Sequence, residues 1–408
     1  MHLHTITKLL DIPNYRAVEV TGPEYADMLG VTLELKNYIP PVCSGCGKVH
    51  GRSVHSNGNI IVEDLKIAGK RVFLLVPKRK VRCTEDCTIR VEEMQWLRGR
   101  FTARFSDQVY RLTSITTNQE AGWFLGLDDE TVYRIDKRKL EELALEKLAP
   151  VPALKHMSVD EVAWQKWHKY VTNVVDIDKR KVIWNHQGRG KVNLDKFFRS
   201  LGKENCEKID AVASGGARGY LSSIKEYAIN ALIVLDHFHV KKYLNDALDT
   251  VRKEELKRAR QQNNGELSAM LHCNKRFILM QNNVTKKKHD LLEKLAGLNN
   301  RIYQAMLLKE QFLSIYTDPQ TAQRNLKEWI IAAINSKIPV FVELGYKFFR
   351  KRHYLLNYFI CKITTAISEG INNKIKRLSR MAYGYRDVHY FLLKIHQHCG
   401  LLNPRLAT

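Results

Sequence analysis

The sequence predicts a multidomain α+β chain whose mixed α/β core is interrupted by a helical insertion. Three consecutive strand patterns and then an alternation of helix and strand fill residues 154–235, which is typical of a mixed sheet with helices on its faces. From His239 to about Ile367 the chain has a helical pattern rich in Lys, Arg, Leu and Asn, and this stretch is too long for a loop. The predicted core strands are His156–Trp164, Tyr170–Asp176, Lys181–His186, Ile209–Ala213 and Ala231–Leu235, and the helices between them are Leu194–Leu201 and Gly219–Tyr227.

Shorter segments precede this core. An N-terminal extension with some strand character leads into a module with paired cysteines and short strands. A helical domain follows and ends in a linker marked by two prolines. The predicted bounds are 1–40 for the extension, 41–95 for the cysteine module, 96–150 for the helical domain, 151–240 and 361–408 for the two parts of the core, and 241–360 for the insertion. The module's strands are predicted at Ser53–His55, Asn59–Val62 and Lys70–Pro77.

The composition indicates a polyanionic partner. Among the 408 residues, Lys and Arg outnumber Asp and Glu by 66 to 43, and the net charge of +23 is spread along the chain. Such a charge favours DNA or RNA as the partner, ahead of a membrane surface or no polyanion at all. No segment approaches the roughly 20 apolar residues that span a bilayer, and the start lacks the apolar region of a signal peptide. We therefore expect a cytoplasmic protein.

Four of the eight cysteines form two close pairs. The pairs are Cys43 with Cys46 and Cys83 with Cys87. Each pair places two thiolates on one tight turn, and a strand hairpin between the pairs brings all four around one tetrahedral ion. Zinc is the expected ion because sulfur ligands in a reducing cytoplasm favour it, and its role is expected to be structural. His50 and His55 are expected to be surface residues, and a role as substitute ligands is the alternative for them. For the cysteines, the alternative to a metal site is two unrelated turns with free thiols.

A helix-turn-helix is predicted over residues 114–138. Its first helix ends in a turn at Gly126, and Asp128 or Asp129 serves as the N-cap of the second helix. Val132 and Ile135 are expected to pack inward. The residues expected to face or flank DNA are Thr131, Tyr133, Arg134, Lys137 and Arg138. The alternative is a helical hairpin with a charged surface that contacts no DNA.

Two acids lie where a ribonuclease-H-like sheet places metal ligands. That sheet supplies carboxylates from its first strand, the end of its fourth strand and a late helix, and these hold two Mg²⁺ ions about 4 Å apart for phosphodiester chemistry. Asp160 lies in the first predicted strand, where an acid without a partner is costly unless the strand is an exposed edge. Glu369 lies on the last amphipathic helix, predicted over residues 364–378. Lys376 shares the face of Glu369, and a neighbouring face suited to phosphate holds Lys374, Arg377 and Arg380.

Four segments together resemble the ISL3 family of insertion-sequence transposases. They are Ser158–Trp167, Ile233–Lys242, Ser368–Lys376 and Ala382–Arg386, and the cysteine module and helix-turn-helix resemble that family's N-terminal parts. The resemblance implies a bacterial DDE transposase, associated with the nucleoid and at least dimeric. It implies cleavage of double-stranded DNA at transposon ends with Mg²⁺ (or Mn²⁺), then joining of the freed 3′-hydroxyl to target DNA. It also implies that Asp160 and Glu369 are the first and last acids of the triad and bind Mg²⁺.

The middle acid of that triad is missing. The family pattern has an Asp five positions before a Tyr, and counting back from Tyr220 places Gly215 there. Asp236, which with His239 resembles an Asp-x-x-His element beside the family's site, is the candidate replacement. The alternative is that these two residues are a hydrogen-bonded pair that caps the following helix. Two hypotheses remain at this point: a transposase that still cuts DNA, and a catalytically dead DNA-binding relic or repressor. An RNA-binding protein is a third, for which the sequence has no signature.

Overall fold

The computed structural model describes residues 2–22, 27–51, 58–165, 169–279, 293–364 and 366–406. The chain divides into two compact units, one of Met1–Leu145 with Pro404–Thr408 and one of Glu146–Asn403. The predicted strand Ser53–His55 lies outside the described residues. Within the parts that are described, no helix is both long and apolar enough to cross a membrane.

The first unit opens with helix α1 (Leu3–Leu10) and contains a six-stranded sheet and a two-stranded ribbon. The sheet has the order β1-β2-β4-β3-β8-β7. Val72, Leu74 and Val76 alternate along β4 with their side chains fully buried, as the two-residue period of a strand requires. The strands of the sheet are β1 (Tyr15–Thr21), β2 (Met28–Leu35), β3 (Asn59–Ile67), β4 (Lys70–Pro77), β7 (Leu97–Arg98) and β8 (Phe101–Thr102), and the ribbon is β5 (Lys80–Arg82) with β6 (Ile89–Val91).

Three helices complete this unit: α2 (Ala103–Thr113), α3 (Asn118–Leu125) and α4 (Asp129–Lys147). Helix α3 ends at Gly126, whose φ of 79° lies in the left-handed region that glycine tolerates. The side chain of Asp128 then accepts a hydrogen bond from the backbone N–H of Thr131 at 2.7 Å. The predicted turn and cap are thus confirmed. The apolar sides of the three helices share one small core, which includes Phe105, Val109, Ala121, Leu125 and Val132.

The second unit is built on a five-stranded mixed sheet with the order β11-β10-β9-β12-β13. The first three strands are antiparallel, and β12 runs parallel to both β9 and β13. The strands are β9 (His156–Gln165), β10 (Lys169–Asp176), β11 (Lys181–Gln187), β12 (Ala211–Ser214) and β13 (Leu232–Leu235). All five predicted core strands are therefore present.

Helices cover both faces of this sheet. One face packs against α5 (Lys191–Leu201) and α7 (Arg218–Tyr227), near the short helix α6 (Lys203–Glu207). The other face packs against α15 (Ala366–Met381) and α16 (Val388–Cys399). The sequence did not predict α16, which is an integral part of the core.

The insertion begins immediately after β13 and is entirely helical in its described part. Its core contains Phe312, Trp329 and Phe348, whose rings lie within 4.7–5.5 Å of one another. Residues 293–298 are also helical. The helices with complete bounds are α8 (His237–Gln261), α9 (Gly265–Cys273), α10 (Lys275–Leu279), α11 (Asn300–Ser314), α12 (Ala322–Asn335), α13 (Pro339–Arg350) and α14 (Arg352–Cys361).

Candidate functional site

The register of the mixed sheet brings three of the predicted positions side by side. Ser214 at the end of β12 is paired with Val159 on β9 and with Leu235 on β13. The next residue on each strand is Asp160, Gly215 and Asp236, respectively. Because neighbouring strands are about 4.8 Å apart, these three residues form one row across the sheet. Two positions of the row carry a carboxylate, and the central position carries none.

Asp160 is held from two sides. One carboxylate oxygen accepts a hydrogen bond from the N–H of Glu161 at 2.9 Å, and the other accepts one from Nδ2 of Asn372 at 2.6 Å. Burial raises the pKa of Asp160, although the nearby imidazole of His239 opposes the increase. A cation close to this buried carboxyl group would stabilise its ionised form.

Helix α15 crosses β9 beside this row. Its residue Asn372 donates to Asp160, and Ser368, one turn earlier, forms a buried hydroxyl–hydroxyl hydrogen bond with Ser158. Glu369 directly follows Ser368 and is half-buried. The structure thus places the helix that carries Glu369 on the strand that carries Asp160.

Asp236 and His239 form a closed pair at the start of α8. Oδ2 of Asp236 accepts a hydrogen bond from the backbone N–H of His239 at 3.2 Å and contacts its Nδ1 at 3.0 Å. This hydrogen bond is the main cause that raises the pKa of His239. The predicted alternative, in which the pair caps the following helix, is confirmed by this geometry.

The imidazole of His239 also borders the central position of the row. A Cβ atom built on Gly215 would lie 2.8 Å from Nε2 of His239, so a side chain there requires the ring to shift. Because Asp236 is buried and bonded to His239, the row offers no second carboxylate beside Asp160 that is free for a shared metal. As they stand, these residues do not fit two Mg²⁺ ions, which need carboxylates between them.

Several neighbours of this row were not identified from the sequence. The hydroxyl of Tyr243 donates to the carbonyl of Gly215 at 3.1 Å, and the ammonium of Lys351 donates to the carbonyl of Gly216 at 2.6 Å. Both residues belong to the helical insertion, which therefore contacts the loop that follows β12. Lysines are common throughout this insertion, so no sequence signal distinguishes Lys351.

Asn173 is a further unpredicted neighbour. It is paired directly with Asp160 across β10 and β9, is 1% exposed, and neither of its amide atoms has a hydrogen-bond partner among the described residues. Its signal in the sequence is a single polar residue within an apolar strand. A buried amide without a hydrogen-bond partner is energetically costly. Packing alone therefore does not explain the presence of Asn173 beside Asp160.

The cysteine module contains a compact set of four ligand atoms. They belong to Cys43, Cys46, His50 and Cys83, and all lie within 4.8 Å of one another. The expectation of a surface residue is wrong for His50, which is buried and joins the set in place of Cys87. Cys87 is exposed and has a φ of 57°, on the outer side of the turn between β5 and β6. His55 lies outside the described residues.

This set fits a structural zinc ion. Three Cys and one His are a usual tetrahedral ligand set, whose atoms lie about 4 Å apart around the metal. The backbone N–H groups of Cys46 and Gly45 donate to the sulfur of Cys43 and lower the pKa of its thiol, which favours the thiolate that zinc binds.

The predicted DNA-facing residues of the first unit differ in their surroundings. On α4, Arg134 and Arg138 are exposed, whereas Thr131 hydrogen bonds to Asp128. Tyr133 and Lys137 contact each other, with 3.4 Å between the ammonium and the hydroxyl. In the second unit, the basic residues predicted on α15 are all exposed: Lys374, Lys376, Arg377 and Arg380.

Comparisons with known proteins match both units. The ISL3 transposase family model matches residues 157–395, and a model for the zinc finger of transposases IS204, IS1001, IS1096 and IS1165 matches residues 39–87. The chain is 31% identical over 402 residues to the transposase for insertion sequence element IS1001 of Bordetella parapertussis, covering 95% of this chain and 97% of that relative. It is 28% identical over 255 residues to the transposase for insertion sequence element IS1557 of two Mycobacterium tuberculosis strains, covering 57% of each chain.

Proposed function

Because the chain belongs to the ISL3 family of transposases, we propose that it binds the ends of a bacterial insertion sequence but lacks a complete catalytic site for cutting them. The family implies DNA cleavage and strand transfer. In this proposal the protein works in the cytoplasm at the nucleoid and pairs two ends as at least a dimer. In this proposal the protein still binds DNA but no longer cuts it, so it acts as a repressor by occupying the ends.

The core is proposed to be ribonuclease-H-like. Three antiparallel strands followed by two parallel ones, with helices on both faces, support this assignment. Asp160 on the first strand and Glu369 on the late helix are then the first and last acids of the triad. With a complete triad these residues would hold Mg²⁺ or Mn²⁺, which supplies an activated water and stabilises the leaving 3′-oxygen.

The observation that carries the proposal is the glycine in the middle of the row. Gly215 stands between Asp160 and Asp236, and His239 fills the space where a side chain at 215 would lie. Asp236 is a poor substitute because its Oδ2 already bonds to the backbone and the ring of His239.

The N-terminal unit is proposed to read the ends. The proposed helix-turn-helix of α3 and α4 has Arg134 and Arg138 exposed to solvent, and the cysteine module with its proposed zinc site belongs to the same unit. The formal charge of +23 supports a polyanionic partner for the whole chain. The exposed cations of α15 would contact phosphates close to Glu369.

A cleavage assay tests the proposal. The substrate is a duplex that carries the terminal repeat of the element and its flanking sequence, incubated with Mg²⁺ or Mn²⁺. Three proteins are compared: the natural chain, Gly215→Asp, and Gly215→Asp combined with Asp160→Asn. We expect nicking that leaves a 3′-hydroxyl only with Gly215→Asp, at a rate at least about 100-fold above that of the other two proteins. Loss of a residue that only supports a metal ligand lowers activity by about 10–100-fold, and loss of the ligand itself lowers it more.

Two outcomes would contradict parts of this proposal. Cleavage by the natural chain at the rate of Gly215→Asp would show that the glycine does not abolish catalysis. If Asp236→Asn then removed that activity, Asp236 would be the replacement acid. Absence of cleavage by Gly215→Asp, with the terminal repeat bound, would overturn the assignment of the triad.

A further inference from the structure

A basic cleft lies in the first unit between helix α4 and the tip of the β7–β8 hairpin. Its volume is about 310 Å³. Five cationic side chains and one acidic side chain line it, together with small and apolar residues. The charged residues are Arg98, Arg100, Arg134, Arg138, Lys139 and Glu142. The cleft therefore has a strong positive potential and borders the exposed side of the second helix of the helix-turn-helix.

The hairpin is fixed firmly enough to form one wall of a binding site. Its two short strands are joined by Gly99 and Arg100, and Gly99 has a φ of 68°, which lies in the left-handed region that favours glycine. The carbonyl of Arg100 accepts a hydrogen bond from the N–H of Glu63 on β3 at 2.9 Å. Phe101 stacks on Phe105 of α2, with 5.1 Å between ring centroids.

Two of the five cations form no ion pair with any residue that the structure describes. Lys139 is 2.6 Å from Asp107, and the other paired cations of the cleft likewise contact carboxylates. Arg100 and Arg138 form no ion pair within the part of the chain that the structure describes. A Cβ at Gly99 would lie 3.4 Å from a guanidinium nitrogen of Arg138, so this cation sits at the hairpin tip.

Unpaired guanidinium groups around one concave surface match the chemistry of phosphate. Arginine forms paired hydrogen bonds with phosphate oxygens, and mutual repulsion of the cations is relieved when an anion enters. The lining of the cleft extends along α4 from Thr131 to Glu142, so it suits a chain of phosphates better than a single ion.

We propose that this cleft holds the sugar–phosphate backbone of duplex DNA beside the groove that α4 enters. The proposal rests on the proposed DNA-binding function and adds a contact element outside the helix-turn-helix, the hairpin of Arg98, Gly99 and Arg100. Contacts to phosphates position a protein on DNA without reading its sequence. The cleft thus strengthens binding to any duplex and fixes the angle of α4.

The test measures the affinity of the full-length protein for two labelled duplexes, one with the terminal repeat and one of unrelated sequence, by fluorescence anisotropy from low to high salt. The variants are Arg100→Gln, Arg138→Gln and the double variant. Arg111→Gln is the matched control, because Arg111 is also exposed in this unit but does not line the cleft. Each cleft variant is expected to weaken binding to both duplexes and to lower the slope of log affinity against log salt by about 1, and the double variant by about 2.

The outcomes separate this inference from the proposed function. If the double variant keeps the slope of Arg111→Gln on both duplexes, the cleft does not contact phosphates, whatever the protein binds. If Arg100→Gln weakens only the terminal-repeat duplex, the hairpin reads bases and the backbone assignment is overturned. The natural chain could bind both duplexes equally while the double variant has a lower slope of log affinity against log salt. That result would support the phosphate contacts of the cleft and contradict the proposed recognition of the transposon ends. Tighter binding of single-stranded than of duplex DNA would overturn the choice of ligand.

Discussion

A Cβ atom built on Gly215 lies 2.8 Å from Nε2 of His239. The same Cβ lies 2.9 Å from Cδ2 and 3.0 Å from Cε1 of that ring, so the face of the imidazole covers the space beside position 215. The other ring nitrogen, Nδ1, contacts Oδ2 of Asp236 at 3.0 Å, which holds the ring in this place. An aspartate at 215 therefore requires the ring of His239 to move aside.

Restoring the acid should restore metal binding even without DNA. The φ of Gly215 lies outside the left-handed range, so an aspartate meets no backbone strain there. We expect Gly215→Asp to bind Mn²⁺ at least about 10-fold more tightly than the natural chain, because it adds a hard oxygen ligand beside Asp160. Electron paramagnetic resonance of free Mn²⁺ measures this. Gly215→Asn has the same shape without the charge, and equal affinities of the two variants would contradict the expectation.

The Asp236–His239 pair should make stability depend on pH. The pKa of His239 is raised in the folded chain, chiefly by its hydrogen bond to Asp236. Its stabilising contribution is therefore complete below the ordinary pKa of 6.5 and is lost as the pH rises through the raised value. Asp236→Asn keeps a cap acceptor but removes the charge, so it should destabilise the protein more at pH 6 than at pH 9. Thermal unfolding at both pH values gives the comparison.

A matched variant isolates the imidazole in this experiment. In a His239→Gln background, Asp236→Asn should cost the same at both pH values, since no titrating ring remains. A pH-independent effect of Asp236→Asn in the natural chain would mean that the cap alone accounts for the pair.

Much of the second unit follows from local patterns in the sequence. Ala231–Leu235 is fully apolar and becomes a buried parallel strand, and the acid that ends it becomes a helix cap. These outcomes depend on neighbours within a few residues. The position of Gly215 in the row could likewise be counted from Tyr220, because both lie in one strand–loop–helix segment.

Contacts between distant segments could not be predicted in the same way. Asn372 donates to Asp160 across 212 positions, and nothing in either segment specifies that pairing. Helix α16 has no counterpart among the predicted helices, and its burial depends on the face of a sheet formed by distant segments. The β7–β8 hairpin has strands of two residues each, which are too short to produce a periodic pattern.

An ion pair between a buried carboxylate and a partly exposed guanidinium joins α2 to the sheet of the first unit. Asp64 is 1% exposed and accepts hydrogen bonds from Thr102 Oγ1 and Arg104 Nε, each at 2.7 Å, and from a second guanidinium N–H. Asp64→Ala removes these hydrogen bonds but leaves Arg104, whose side chain is 34% exposed, in contact with solvent, so we expect a loss of about 2 kcal/mol in the free energy of unfolding of this unit. Urea denaturation followed by hydrogen exchange of α2 measures it.

The control for this prediction is an exposed pair in the same unit. Asp107, which pairs with Lys139, is about half exposed, and Asp107→Ala should cost no more than ~1 kcal/mol. Equal costs for the two substitutions would show that Asp64 does not anchor α2.

The identity of the fourth zinc ligand gives the sharpest difference between sequence and structure. The spacing of the cysteines favours Cys87, whereas the structure groups His50 with the other three ligands and places its Nε2 3.4 Å from the sulfur of Cys46. The backbone N–H of His50 bonds to the carbonyl of Pro41 at 2.9 Å, which holds the ring beside the first cysteine pair. Cys87→Ser should therefore retain one zinc per chain, while His50→Ala and Cys83→Ser should lose it.

Metal content after dialysis against a mild chelator, with the melting temperature of each variant, measures this difference. Loss of a structural zinc ligand should unfold the module, because zinc binding supplies much of its folding free energy. His50→Cys provides a further comparison, since it restores a fourth ligand and should keep the metal. Zinc loss in Cys87→Ser but not in His50→Ala would assign the site to the four cysteines, and the ring of His50 would then only pack against it.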